Sequence, residues 1–173
     1  MFLPHATDTE ALGAQLAAAL LEDVSAGAAS AVEGSIHLRG QLGAGKTTLV
    51  RGLAHALGIE GPIKSPTYTL VEPYVSGAIR LYHFDLYRLG DGEELEYLGL
   101  RDAFAEAALC VIEWPERAGD WLPAPDLQIH LSIAGGGRDA QMRPRTPKGK
   151  ALLAIIDRRR ACYKSRGDRH LLP

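Results

Sequence analysis

The 173-residue sequence has no asparagine and only two cysteines, and each scarcity excludes a class of protein. Two cysteines, Cys110 and Cys162, are too few for a disulfide scaffold. No run of about 18 apolar residues occurs, so the sequence predicts no membrane-spanning helix and no membrane partner. Residues 1–10 have neither a basic start nor an apolar core, which argues against a signal peptide. We therefore expect a cytoplasmic protein.

The small net charge of −2 conceals two segments of opposite sign. From Arg138 onward the chain carries eleven Lys and Arg against three Asp, whereas the remainder has eight Lys and Arg against eighteen Asp and Glu. The length predicts one domain, which we assign to residues 1–157, followed by a basic tail over residues 158–173 that we expect to be disordered. Such a tail either contacts a polyanion or acidic partner surface, or is only a solvated segment.

Hydrophobic periodicity predicts an alternation of strands and helices. A first helix is indicated by a capping-box spacing, Thr7 to Glu10, followed by leucines at intervals of four residues. A short strand over residues 36–38 precedes a helix over 47–57, and two β-rich runs, 68–74 and 79–86, read as a hairpin. The apolar run 107–112 is typical of a strand buried in a parallel sheet. Strands are also indicated over 127–133 and 138–143, and a helix over 151–160, so the fold class is α/β.

The most specific pattern is a glycine-rich loop over residues 40–47. Gly40, Gly45, Lys46 and Thr47 fit all the fixed positions of the phosphate-binding loop (P-loop), and a predicted strand and helix flank it as that motif requires. Glycines let successive backbone N–H groups surround an anion at the start of a helix. In such a loop the lysine reaches the β- and γ-phosphates, and the threonine hydroxyl ligates Mg²⁺.

A second acidic group usually completes a site of this kind, and the sequence offers two candidates. Glu113 directly follows the buried run 107–112, and Asp85 directly follows the apolar part, 79–84, of the second β-rich run. Either could hold Mg²⁺ or activate a water molecule, because ligands of open α/β sheets lie beyond the carboxyl ends of strands. Thr67, within Ser65-Pro66-Thr67, lies where a nucleotide-sensing switch is expected.

The absence of asparagine bears on nucleotide choice. Guanine-specific small GTPases use an Asn-Lys-x-Asp element, which this chain cannot contain. A nucleotide kinase usually needs an arginine-rich lid, whereas residues 90–106 are mainly acidic. ATP is therefore the nucleotide that we expect.

Several motifs together resemble one known family, TsaE. They are the loop from Gly40 to Thr48, Ser65-Pro66-Thr67-Tyr68, His83-x-Asp85-x-Tyr87-Arg88 and Glu113-Trp114-Pro115, in the order and approximate spacing of that family. The resemblance covers about residues 7–143. It implies a P-loop NTPase-like, three-layer ATPase domain with a mixed, mainly parallel sheet and an antiparallel hairpin.

The resemblance also implies roles for individual residues. Nucleotide binding falls to Leu42, Gly43, Ala44, Gly45, Lys46, Thr47, Thr48 and Arg138. Thr47 and Glu113 are implied to bind Mg²⁺, and Asp85, Glu113 and Thr67 to form the catalytic or switch surface. Gln41 departs from the family, which usually has an acidic residue there.

The function implied by the resemblance is ATP hydrolysis in support of threonylcarbamoyladenosine modification of tRNA, beside the anticodon. The expected partners are TsaD and TsaB, with tRNA contacted only through their complex, and hydrolysis is expected to be slow without them. Two alternatives remain: a switch or scaffold that binds ATP without hydrolysing it, and a small-molecule phosphotransferase.

Overall fold

The computed structural model describes residues 1–27 and 29–167 as one α/β domain. Seven strands are present: β1 (Phe2–Leu3), β2 (Gly34–Arg39), β3 (Val71–Ser76), β4 (Ile79–Asp85), β5 (Leu109–Glu113), β6 (Leu127–Ala134) and β7 (Gly137–Pro144). The helices are α1 (Ala6–Ser25), α2 (Lys46–Ala56), α3 (Glu94–Tyr97), α4 (Leu100–Ala105) and α5 (Pro147–Gly167), and two 3-10 turns follow β5.

All seven strands form one mixed sheet with the order β1-β7-β6-β2-β5-β4-β3. The four central strands, β6, β2, β5 and β4, are parallel, while β3, β7 and β1 are added antiparallel at the two sides. The predicted mixed sheet and its hairpin are confirmed. In the β3–β4 hairpin Ser76 pairs with Ile79, so the turn is shorter than the predicted one over residues 75–78.

Side chains on the two faces of the sheet enter separate hydrophobic clusters. Leu109 and Val111 of β5 pack with α1, α2 and α5, and Cys110 and Ile112 pack with α3 and α4 on the other face. All four side chains are buried, as the apolar run predicted for a strand covered on both faces. The domain therefore has three layers, helices, sheet and helices, and the strand ends between the layers are available to form a site.

The C-terminal region differs from the prediction. Helix α5 extends from Pro147 to Gly167, beyond the predicted helix over 151–160, and includes residues 158–167 of the segment that was expected to be a disordered tail. Leu152 and Ile156 bury one face of the helix in the core, and Arg158 and Arg159 both pair with Glu22 of α1. These tertiary contacts stabilise a segment whose composition alone predicts a solvated tail. The expectation of disorder for residues 168–173 lies outside the described residues.

The start of α1 also differs from the prediction. The helix begins at Ala6 with His5 as its N-cap, and the His5 N–H donates to Asp8 Oδ2 at 2.8 Å. Glu10 does not pair with Thr7; its carboxylate accepts hydrogen bonds from Arg51 in α2, at 2.9 and 2.6 Å. Across the part of the chain that the structure describes, no helix is both long and apolar enough to cross a lipid bilayer.

Candidate active site

The candidate site lies where the central parallel strands end. The glycine-rich loop follows β2 directly, Asp85 is the last residue of β4 and Glu113 is the last residue of β5. Asp85 and Glu113 are paired in the β4–β5 register. The two residues that the sequence offers as alternatives for holding Mg²⁺ or activating water are therefore neighbours. Both are almost fully buried, with 4% and 2% of their surface exposed. Two buried acidic groups therefore face the loop together.

Two glycines of the loop occupy positions that no other residue could fill without movement. Gly40 has φ +142°, and a Cβ there would lie 2.1 Å from the carbonyl oxygen of Leu131. Gly45 has φ +98° and is the N-cap of α2, and a Cβ there would lie 2.7 Å from Arg138 Nε. Because positive φ and close backbone approach both favour glycine, these positions keep the loop folded around the N-terminus of α2. That geometry directs N–H groups and the positive end of the helix into one space.

Lys46 is buried at the base of the loop. Its Nζ donates to the carbonyl oxygens of Gly40 at 2.7 Å and Gln41 at 3.2 Å, and lies 3.8 Å from the centre of the Trp114 ring. Burial lowers the pKa of the Lys46 ammonium, and the negative charges of Glu113 and Asp85 oppose that shift. The ammonium is thus held beside two carboxylates and the first turn of α2.

Three side chains form a continuous hydrogen-bonded row beneath the loop. The Thr47 hydroxyl donates to Glu113 Oε1 at 2.8 Å, and His83 Nε2 lies 2.9 Å from the same oxygen. His83 is fully buried and comes from β4, two residues before Asp85. The threonine and glutamate that were predicted to share a metal ion are therefore in direct contact. A hydroxyl and a carboxylate are also ligands that Mg²⁺ accepts.

A second hydrogen-bonded group surrounds Asp85. Its Oδ2 accepts from the hydroxyls of Ser65 and of Thr67, the latter at 3.0 Å, and the two hydroxyls are 2.5 Å apart. Asp85 Oδ1 accepts from the backbone N–H of Tyr87 at 3.1 Å. The Ser-Pro-Thr segment is thus joined to the end of β4. A change at either hydroxyl would be transmitted to this carboxylate.

Arginines lie on two sides of the loop. Arg138, at the start of β7, has its buried Nε beside Gly45 without a hydrogen-bond partner among the described residues. Arg88 lies over the ring of Tyr68, 4.4 Å from its centre, and Tyr68 is 83% exposed. A buried, unpaired guanidinium N–H is costly unless it meets an acceptor. Arg138 is therefore the arginine whose surroundings most favour an anionic ligand.

These groups surround one cleft of about 450 Å³. Most residues predicted from the sequence line it: Leu42, Gly43, Gly45, Lys46, Thr47, Thr48, Thr67, Asp85, Glu113 and Arg138. Ala44 does not line it, because its side chain is buried in the core on the other side of the loop. The roles assigned to these residues stay predictions.

Other lining residues were not assigned to the site from the sequence: Ser65, Tyr87, Arg88 and Trp114. His83 was also missed, although it belongs to the same motif as Asp85. Its spacing of two residues from Asp85 in a strand places both side chains on one face, and that was the available signal. For Trp114, no local pattern predicts the left-handed backbone, φ +58°, that follows β5.

Comparisons with known proteins point to one family. The family model described as "Threonylcarbamoyl adenosine biosynthesis protein TsaE" matches residues 3–140. A protein of Haemophilus influenzae called tRNA threonylcarbamoyladenosine biosynthesis protein TsaE is 44% identical over 121 residues, which cover 70% of this chain and 77% of that protein. A protein of Treponema pallidum with the same name is 43% identical over 106 residues, 61% of this chain and 78% of the relative.

A solved structure gives the same result for the fold. The crystal structure of Bacillus subtilis YdiB superposes with a TM-score of 0.72 and 29% sequence identity, over 92% of this chain and 93% of that one. The family match ends at residue 140, so the second half of β7 and all of α5 lie outside it. The glycine-rich loop, both acidic strand ends and Arg138 lie inside it. On the strength of these matches, the chain belongs to the TsaE family of threonylcarbamoyl adenosine biosynthesis proteins.

Proposed function

We propose that this chain binds ATP with Mg²⁺ in the cleft and hydrolyses it, in support of threonylcarbamoyladenosine modification of tRNA. The partners we propose are TsaD and TsaB, with tRNA contacted through them. The proposal draws on the family membership for the pathway and on the cleft for the chemistry. The observation that carries it is the contact of Thr47 with Glu113 directly beside Lys46 at the start of α2.

The residues present fit a triphosphate and a divalent cation. Gly40 and Gly45 keep Cβ atoms out of the space around the helix N-terminus, and the buried Nε of Arg138 lacks an acceptor among the described residues. Lys46 supplies a positive charge, and Thr47 and Glu113 supply oxygen ligands of the kind that Mg²⁺ prefers. When bound there, Mg²⁺ would neutralise charge on the phosphate oxygens.

The chain's own residues have distinct tasks in this proposal. Backbone N–H groups of the loop and Lys46 bind and orient the phosphates, and Thr47 and Glu113 hold the cation. Asp85 is oriented by the hydroxyls of Ser65 and Thr67 and by the N–H of Tyr87. A carboxylate fixed in this way is suited to orient a water molecule and accept its proton.

We further propose that hydrolysis is slow in the isolated protein. The Arg88 guanidinium lies on the Tyr68 ring, and Arg138 lies against Gly45 at the N-cap of α2. NTPases of this class often receive a further positive charge from a partner, which accelerates hydrolysis by large factors. Partner binding at the mouth of the cleft would supply that charge or release Arg88.

Calorimetric titration with ATP and Mg²⁺ tests the binding step, using Lys46→Ala and, as a matched control, Lys150→Ala. Lys150 is exposed in α5 and remote from the cleft, so its variant should bind as the unaltered protein does. We expect Lys46→Ala to abolish measurable binding. Equal affinities in the two variants would contradict the proposal.

Phosphate release, measured with and without TsaD and TsaB, tests the hydrolysis step. We expect slow release alone and faster release with both partners. A nucleotide-bound complex that assembles with the partners and never releases phosphate would support the alternative of a non-hydrolysing switch.

A further inference from the structure

We infer that His83 is a positioning residue that holds the Glu113 carboxylate in the orientation needed to bind the divalent cation. The inference rests on the proposed function, because it concerns the metal ligands of that site. It adds a residue to which the sequence motifs assign no role of its own. The carrying observation is the shared use of one oxygen, Glu113 Oε1, by His83 and Thr47.

Hydrogen bonds hold only one of the two oxygens of the Glu113 carboxylate. Thr47 Oγ1 and His83 Nε2 approach Glu113 Oε1 at 2.8 and 2.9 Å, whereas Oε2 accepts no hydrogen bond from the described residues. Two donors on one oxygen fix the rotation of the carboxylate about its last bond. The other oxygen is left to a metal ion or to its water ligands. Partners of this kind, which orient a metal ligand without touching the metal, are common in metal sites.

The position of His83 suits a fixed donor. Its side chain is completely buried, and β4 pairs with β5 so that His83 lies beside Val111, two residues before Glu113. Only the tautomer with hydrogen on Nε2 can donate to the carboxylate. The other ring nitrogen, Nδ1, has no hydrogen-bond partner among the described residues. The ring thus has a single polar contact in the described chain, and that contact is with Glu113.

Thr47 alone would not maintain this orientation. A threonine that ligates the cation through its hydroxyl oxygen can keep its hydrogen on Glu113 only in a narrow range of rotamers. The imidazole is held by a buried strand and has no such freedom. His83 therefore keeps Glu113 in place whichever rotamer Thr47 adopts, and the metal ligand is organised before the cation arrives.

Three variants separate positioning from a general structural role. His83→Leu removes the hydrogen-bond donor and replaces the imidazole with an apolar side chain of similar length. His83→Gln places an amide N–H near the position of Nε2, whereas His83→Asn places it near Nδ1, away from Glu113. Each full-length variant is loaded with the β,γ-imido analogue of ATP, and Mn²⁺ is titrated into the complex while free Mn²⁺ is followed by electron paramagnetic resonance. Affinity for the analogue in EDTA is measured in parallel by calorimetry.

We expect His83→Leu and His83→Asn to weaken Mn²⁺ binding about 10- to 100-fold, the range typical for loss of such a partner. His83→Gln should restore most of the affinity, and binding of the analogue in EDTA should be similar in all three. Equal Mn²⁺ affinity in His83→Gln and His83→Asn would overturn the inference, and so would unchanged Mn²⁺ affinity in His83→Leu. If His83→Leu does not fold, the Gln–Asn pair still decides. Failure of the unaltered protein to bind the analogue would instead refute the proposed function.

Discussion

Gly13 of α1 lies directly against the backbone of Leu49 in α2, so close that a Cβ at Gly13 would lie 2.2 Å from the Leu49 carbonyl oxygen. The approach is mutual, because a Cβ at Gly52 of α2 would lie 2.1 Å from the carbonyl oxygen of Glu10. Two helices can approach this closely only where both lack side chains. Since α2 begins at Lys46, this contact fixes the helix on which the phosphate-binding loop is built.

Gly13→Ala should therefore destabilise the protein. In an ordinary helix interior this change is favourable by up to about 1 kcal/mol. Here the added methyl group must separate the two helices, and we expect a net loss of about 1–3 kcal/mol in the free energy of unfolding. Denaturant unfolding measures it, with Ala11→Ser at an exposed position of α1 as the control. If Gly13→Ala instead raised the free energy of unfolding, the two helices would be able to move apart at no cost in stability.

Asp85→Asn should reduce hydrolysis while leaving ATP binding nearly unchanged. The amide can keep most of the hydrogen bonds around residue 85 but cannot accept a proton from water. General-base groups typically contribute at least about 100-fold, so we expect a loss in kcat of that order or more. Phosphate release under saturating ATP, with the partners present, measures it, and Asp120→Asn at an exposed position is the control. A parallel loss of ATP affinity would point to a role in binding instead.

The buried His37 should make stability depend on pH. Burial lowers the pKa of His37 to about 4, and the charge of Arg39 acts in the same direction. In the unfolded chain His37 takes up a proton near pH 6.5, whereas in the folded chain it does so only near pH 4. The contribution of neutral His37 to the free energy of unfolding is therefore fully present above pH 6.5 and is lost as the pH falls between the two values.

We expect this group to contribute a loss of about 2–3 kcal/mol between pH 7 and pH 4.5. Denaturant unfolding at the two pH values measures it, with His37→Leu as the comparison. Between these two pH values the loss of stability in the variant should be smaller by about 2–3 kcal/mol, because the two proteins share all other titrating groups. The same pH dependence in both proteins would mean that His37 takes up its proton as readily in the folded state as in the unfolded state.

Ile156→Ala should show whether α5 belongs to the cooperative fold. Ile156 is fully buried in the cluster shared with α1 and α2, and removing such a side chain costs about 2–5 kcal/mol. Arg158→Ala, which affects only an exposed ion pair with Glu22, should change stability little. Thermal melting of both variants is the measurement. Equal melting temperatures would indicate that α5 detaches without affecting the rest.

The elements of the site that are local in the chain can be predicted from the sequence. The glycine-rich loop, its strand and its helix are contiguous, so spacing and composition were sufficient to predict them. The two acidic residues were also found, because each ends an apolar run. Their positions beside each other depend on the β4–β5 register, which no single segment encodes.

The parts that were missed depend on contacts between distant segments. The hydrogen bonds of Asp85 with Ser65, and of Glu113 with His83, join residues that lie 20 and 30 positions apart. Helix α5 is longer than predicted, and its Leu152 and Ile156 pack in a cluster with residues of α1, more than a hundred positions earlier. Local propensity has no access to such pairs, and tertiary context overrides it.

The convergence of strand ends at one edge has a consequence for protein turnover. Gly40, Asp85, Glu113 and Arg138 meet only when β2, β4, β5 and β7 are all in place, so partial opening of the sheet would dismantle the cleft. A ligand that recognises only the native form adds about 2.7 kcal/mol at a concentration one hundred times its dissociation constant. If the cleft takes ATP, the resistance of the domain to proteases would then rise and fall with the concentration of nucleotide.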